Sequence, residues 1–573
     1  MQAEAFERGD PVPDSQGIWN EHCLSAVKRF LKSAVVIDNE PFVKTGPPSP
    51  ALDFSLEVPD DGMSHLDPTL TSIQLNTDNS ALHTELENPH QLDVRKISDA
   101  FAENGLACAF VLPEDDAFNE EAVVKRVLNS AIACDIVVID WFLYDGSPNL
   151  TKRILREIAV SDVSENGRLR FICVYTGQPL TDGVSQDVRE SLAEGGVTVD
   201  EIADGVLYSE KQSCLAIVLN KQSVSSADLP TVLVNQFCKF ADGLLPSFAL
   251  AAVGAIRKNS HHMVTRFGSH LDSAYVANRL ISDPPEDVAE MMRELLVAEC
   301  DNALGLESVA DRYLDKYALT HWLAHNKDKF VEPSYKKGKN IDSLLISQLL
   351  NNGIDNKGTK TDAGEPVSFG IEHRHRVSEA LAGGPAASKQ AESDFSRLVV
   401  FKREGFGDSK LFGGEGWLPS LTTGTLLQCQ SGEVKRYFLC LTPACDTLRL
   451  ARETPFVFLE ATIDDECYSL VFKDADGGYR GLYFREKHPT LATFSFLPDE
   501  RGRVRGAIHC PEVGTPYFTF SNVGGTHVFT WIGEIRYARA ASEMAKLAGN
   551  WMRIGIKDSE FLRLTEAGKF KSI

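Results

Sequence analysis

The chain reads as a multidomain α/β + α + β protein. A doubly wound parallel sheet comes first, a helical middle follows, and a small β-barrel or sandwich ends the chain. Three observations predict this order. Up to about residue 226, short apolar runs rich in β-branched residues alternate with helical periodicity, the pattern of a parallel sheet with helices on both faces and right-handed crossovers. From Asp228 to Gly353 only the helical period remains. From Phe395 to Tyr537, short apolar runs stand between Gly, Asp and Pro turns.

Taken in order, 1–32 reads as an N-terminal helical segment, with Leu24, Val27, Phe30 and Leu31 on one face. Ser33 to Ile37 is a buried strand ending in Asp38-Asn39-Glu40-Pro41 and opens an α/β domain expected over 33–226. Residues from about 43 to 91 lose periodicity and fill with Pro, Asp, Ser, Thr and Asn, so they read as a long, lid-like insertion. A helix over Asp93 to Asn104, a strand over Leu106 to Leu112 and a helix over Asn119 to Ala133 lead to the apolar run Ile136-Val137-Val138-Ile139. That run ends on Asp140, with the turn Asp145-Gly146 beyond it. A helix from Leu150, a strand over Leu169 to Tyr175 ending in Thr176, and a helix over Gln186 to Glu194 come next. Strands over Val197 to Ile202 and Ser213 to Leu219 follow, the last ending in Asn220-Lys221.

The helical region, 227–353, divides into Leu229–Ala241, Pro246–Ile256, Leu271–Ile281, Pro285–Leu304, Ser308–Ala324 and Ile341–Leu350. Asp283-Pro284-Pro285-Glu286-Asp287 supplies a helix start. The stretch 354–394, rich in Gly, Asn, Lys and Pro, reads as a linker around at most one short helix. Residues 395–573 read as the β-rich domain, with strands such as Leu398–Phe401, Tyr437–Leu441, Phe456–Leu459, Ser469–Phe472 and His527–Ile532, closed by a helix from Ala538 to Arg553.

Composition bounds the function. The chain has 573 residues, a length of ~3–4 domains. A formal net charge of -23 and a pI of about 5.1 oppose DNA and anionic membranes, which the mean field repels. Twelve cysteines without a C-x-x-C pair point to a reduced, cytoplasmic setting. The acidic first 14 residues lack the apolar core of a signal peptide, and no apolar run is long enough to span a bilayer.

Chemistry concentrates at the strand ends. In a doubly wound sheet, Asp38 and Glu40, Asp140, Thr176 and Lys221 converge on one edge. Carboxylates so placed suit Mg²⁺, with Asp38, Glu40 and Asp140 as ligands. Asp140 is the candidate phosphoacceptor, able to form an acyl phosphate. Thr176 would hydrogen-bond a phosphoryl oxygen, and Lys221 would neutralise another. Lys211 also follows a plausible strand, so the choice between Lys211 and Lys221 is open, with the uninterrupted Leu215-Ala216-Ile217-Val218-Leu219 run favouring Lys221.

The order Asp-Asn-Glu-Pro, Asp-Trp-Phe-Leu-Tyr-Asp-Gly-Ser, Thr and Lys resembles a two-component response receiver domain, interrupted by the insertion. The resemblance implies a flavodoxin-like fold, Mg²⁺, and phosphotransfer from a sensor histidine kinase to Asp140. Two departures stand out. Asn39 occupies the position that usually ligates the metal directly, and Tyr144 stands where receivers commonly carry proline. The overall layout is further similar to the receivers without a toxic output domain in the Detocs anti-phage defence systems. That likeness implies a phosphate sink that competes with an effector-bearing receiver for the kinase. A second copy of the chain is a further expected partner; DNA and membrane are not.

Other features carry less. His261-His262, His270, His373 and His375 lack a metal-ligand spacing. Gly413-Gly414-Glu415-Gly416 lacks the Lys-Ser/Thr of a phosphate loop. Cys445, beside Asp446, is the one further nucleophile candidate, for a reading in which the receiver switches an effector in the C-terminal domain. A third reading makes the receiver a phosphate-independent dimerisation scaffold.

Overall fold

In the computed structural model, residues 15–42, 92–112, 119–165, 167–179, 183–209, 213–282, 287–406, 417–432, 434–485, 488–510 and 516–551 are described. The expected insertion, the helix start at 283–286, the Gly413–Gly416 run and Lys211 lie outside these residues. The chain divides into two compact units, Met1–Ser273 with Met291–His325, and Ala274–Glu290 with Asn326–Ile573.

The first unit begins with α1 (Ser15–Phe30) and β1 (Ser33–Ile37), then α2 (Val94–Glu103), β2 (Ala107–Val111), α3 (Glu120–Ala133) and β3 (Ile136–Ile139). There follow α4 (Asn149–Ser164), β4 (Arg170–Thr176), α5 (Val184–Glu194), β5 (Asp200–Ala203), β6 (Val206–Ser209), β7 (Cys214–Asn220), α6 (Leu229–Ala241) and α7 (Leu244–Arg266). The sheet order is β2-β1-β3-β4-β7-β6-β5. The first five strands run parallel, and β5 and β6 add an antiparallel hairpin to β7. The hairpin differs from the single strand expected over Val197–Ile202. Asp204-Gly205, with Gly205 at φ +66°, turns the chain back before a crossover can form.

Strand alternation divides the apolar side chains between two cores. Val36, Ile136 and Val138 meet Trp19 and Val27 of α1, Phe101 of α2, Phe237 of α6 and Ala251 of α7. Val35, Val137 and Ile139 meet Val127 of α3, Ile154 of α4 and Val188 of α5. Thus α1, α6 and α7 pack on the sheet of the expected α/β domain. Beneath the sheet, buried Arg170 makes a bidentate pair with Asp162 (Nε to Oδ2 2.8 Å, Nη2 to Oδ1 2.5 Å) and donates to the Ala131 carbonyl.

The helical stretch continues as α8 (Asp272–Ile281), α9 (Asp287–Leu306), α10 (Val309–Tyr313), α11 (Lys316–Asn326) and α12 (Ser343–Asn352). The single helix expected over Ser308–Ala324 is therefore two. No single helix among the described residues is long and apolar enough to cross a membrane. Only α6 and α7 together pass that test, bent by 119°, and both bury residues in the first unit's core.

In the second unit, the expected linker is folded. Gly358–Lys360 pairs with Pro366–Ser368, and helices span His375–Ala382 and Pro385–Val400. Gly364 turns that hairpin and Gly383 ends the first helix, while Phe369 and Ala380 pack with Tyr335, Ile341 and Leu345. The Pro385 helix also absorbs most of the strand expected over Leu398–Phe401. The strand starts at Phe401, and Arg397 clasps Glu404 across the junction at 2.8 and 3.0 Å.

The β-rich part is one ten-stranded sheet whose path among the described residues runs from Leu470–Lys473 to Ala507–His509, with Phe401–Glu404 and Leu491–Phe496 paired beside it. Its central strand, Thr454–Ile463, pairs with three neighbours. Leu426, Leu439 and Leu459 face one core, which also takes in Ala540 and Leu547 of the last helix, Tyr537–Trp551. Leu427, Phe438 and Phe458 face an aromatic core on the other side.

Candidate functional site

Parallel pairing aligns the strand ends. Ile37 is in register with Ile139, and Thr176 with Asn220, so the next residues of β1, β3 and β7 emerge along one edge. The Asp140 amide donates to the Ile37 carbonyl at 2.8 Å, and the Lys221 amide to the Thr176 carbonyl at 2.8 Å. Asp38, Asp140 and Thr176 are all buried.

Lys221 joins the carboxylates. Its Nζ lies 2.7 Å from Asp38 Oδ2 and 2.9 Å from Asp140 Oδ1, with its side chain only 5% exposed. The Tyr175 ring supports the ammonium from 5.8 Å. The second oxygen of each carboxylate accepts from the following loop: Asp140 Oδ2 from the Phe142 amide at 3.0 Å, and Asp38 Oδ1 from the Glu40 amide at 2.8 Å. Lys211 lies outside the described residues, and Lys221 makes the contacts.

Two carboxylates share one ammonium, so the cluster holds one net negative charge out of water. Burial, then the Asp38 charge, raises the Asp140 pKa above its ordinary value, with Lys221 opposing both. Lys221 faces two carboxylates, and these overcome its own burial and raise its pKa. The excess negative charge fits Mg²⁺, which takes one or two carboxylates and keeps several waters. Asp38 and Asp140 are the residues that would hold it. Glu40 is not brought in: its side chain is exposed, and no three His, Cys, Asp or Glu side chains among the described residues are grouped to hold a metal.

Thr176 stands on the same edge, but its Oγ1 accepts from the Gln178 amide at 3.1 Å and makes no bond to Asp140. Two supporting residues escaped sequence reasoning. Buried Thr151, on α4, donates to the Asp140 carbonyl at 2.9 Å, and Asn220 bridges two loops by donating to the Gln178 carbonyl and accepting from the Gln222 amide. A Thr in the first turn of the helix after the acceptor strand was the available signal for the first. An Asn before the lysine was the signal for the second. Away from this edge, Cys445 is exposed, and its thiol meets Asp446 Oδ1 at 3.4 Å. Among the described residues no imidazole hydrogen-bonds to it.

No curated protein matches the chain, and no solved structure does. One family model, described as the response receiver domain, matches residues 30–227, about a third of the length. That segment covers the parallel sheet and every residue of the strand-end cluster. Residues 30–227 of this chain are a response receiver domain.

Proposed function

We propose that Asp140 accepts a phosphoryl group from a partner histidine kinase. One observation carries the reading: a buried carboxylate at the end of a central parallel strand, paired to a lysine that also holds a second carboxylate. An Asp140 oxygen forms the bond to phosphorus as the phosphorus–nitrogen bond of a phosphohistidine breaks, and the electron pair stays on the imidazole. The raised pKa makes the ionised carboxylate a better nucleophile than an exposed one. Mg²⁺, when bound by Asp38 and Asp140, would neutralise phosphoryl oxygens. Lys221 would pass from the carboxylates to a phosphoryl oxygen, and the Thr176 hydroxyl would turn to donate to another. Phosphorylated kinase, Mg²⁺ and purified protein are mixed and the label followed. Label on wild type and none on Asp140→Ala is expected; equal labelling of both sinks the assignment.

The same chain would act as a phosphate sink within an anti-phage two-component system, as the layout of the Detocs receivers suggests. Support comes from a net charge of -23, which disfavours a DNA-binding output. Weak or spontaneous kinase activity would fill Asp140 before an effector-bearing receiver responds. In cells carrying the parent system, Asp140→Ala is expected to fire the response without a stimulus and to slow growth. Normal growth with signalling lost rules out the sink and leaves an activating receiver. The scaffold reading predicts instead that beryllofluoride and Mg²⁺ act alike on wild type and Asp140→Asn.

A further inference from the structure

The opposite end of the sheet carries a cavity with a different chemistry. It has a volume of about 770 Å³ and lies between α1 and α7, within the first unit. Lys32 precedes β1 and Asp135 precedes β3, so this is the N-terminal edge of the strands, while Asp38 and Asp140 occupy the C-terminal edge.

The cavity exists because small residues let the helices touch. A Cβ on Gly254 would come within 2.5 Å of the Arg29 carbonyl oxygen, and the long side chains of Lys28, Arg29, Arg257 and Lys258 line the cavity beside this contact. Five of them are cationic: Lys28, Arg29, Lys32, Arg257 and Lys258, against Glu21 and Glu307. In a chain of net charge -23 this is a local reversal of sign.

Their partners leave charge uncompensated. Arg29 and Lys258 share the single carboxylate of Glu307, at 3.1 and 2.8 Å. Lys32 Nζ donates to a neutral acceptor, the Lys28 carbonyl, at 2.7 Å. Lys28 is exposed and has no ion pair among the described residues. Only Arg257 is otherwise engaged, by Asp135 at 3.1 Å and the Phe30 carbonyl at 2.9 Å. Leu24, Ala255 and the aliphatic stems of the lysines add an apolar surface.

We propose that this cavity binds a small organic molecule carrying two or more phosphate groups. Its volume is that of a small-molecule site, within ~300–1,000 Å³. Arg29 supplies a planar fork for one phosphate and the lysines supply point charges for the others. The apolar wall takes the organic part. Binding bridges α1 and α7 and raises the melting temperature with ligand concentration.

The test uses the full chain in EDTA at fixed ionic strength, titrated calorimetrically with ATP, tripolyphosphate and adenosine. Saturable binding of ATP, one per chain, is expected, with tripolyphosphate also binding and adenosine not. Asp140→Asn should bind as wild type does, which separates this site from the acceptor. Lys28→Glu with Lys32→Glu should weaken ATP by ~tenfold or more, as two like charges replace two opposite ones. Lys28→Arg with Lys32→Arg should preserve binding. If the reversed pair melts early without ligand, Lys258→Gln replaces it, since that side chain is 70% exposed. The proposal is overturned if neither phosphate compound saturates, if adenosine binds as tightly as ATP, or if the charge changes leave ATP affinity unaltered.

Discussion

Lys221 is one positive charge between two buried negative ones, and stability should follow that imbalance. Because the folded-state pKa of Asp140 is raised above 3.8, its favourable contribution is full below the unfolded value and is lost as pH rises through the folded one. At neutral pH, ionised Asp140 therefore costs stability. Asp140→Asn keeps the shape and removes the charge, so its urea midpoint should exceed that of wild type at pH 7, by a margin that closes toward pH 3.8. A lower midpoint at pH 7 would show that the Lys221 pair outweighs burial and repulsion. Lys221 has the opposite dependence. Its raised pKa contributes stability below 10.5 that is lost as pH climbs through the folded value. Lys221→Met should cost about 3–5 kcal/mol, because it strands two buried carboxylates. Adding Asp140→Asn should recover part of that loss, a coupling that a double-mutant cycle measures.

Among the elements, α7 is the one that places the cavity wall against the sheet. Its Ala251, Gly254 and Ala255 lie close to α1, and Gly254 meets Arg29 backbone, which cannot swing aside as a side chain could. Gly254→Ala gains helix propensity of about 1 kcal/mol but must push α1 away. Overpacking of this kind costs about 1–3 kcal/mol, so a net loss of stability is expected. Chemical denaturation with far-UV detection checks it, and a more stable Gly254→Ala would mean that α1 yields freely. β3 illustrates the converse. Ile136 to Ile139 are all buried, and the strand has no exposed face on which to tolerate a polar residue.

For the whole molecule, each of the two compact units has apolar clusters of its own among the described residues. Separate cores unfold as separate cooperative blocks unless an interface couples them. Calorimetry of the full chain should therefore show two transitions, and Asp140→Asn should move only the one belonging to the first unit. A single transition displaced as a whole by Asp140→Asn would mean that the units unfold together.

Local sequence sufficed where a pattern has one physical solution. The runs Ala34-Val35-Val36-Ile37 and Ile136-Val137-Val138-Ile139, set among helical periods, read as strands buried on both faces of a parallel sheet, and such a sheet delivers Asp38, Asp140, Thr176 and Lys221 to one edge. Most of the strand-end cluster was legible for that reason. Composition misled at 354–394, because glycines that turn a short hairpin look the same in sequence as glycines in a linker. Glu40 was counted with the metal ligands because one-dimensional spacing cannot say which way a loop side chain points. Only the tertiary structure decided that one ammonium serves two carboxylates, that Thr151 and Asn220 brace the acceptor edge, and that four cations of α1 and α7 stand with Lys32 around a cavity. Each depends on contacts between residues far apart in the chain, and their distances follow from packing rather than from spacing along the sequence.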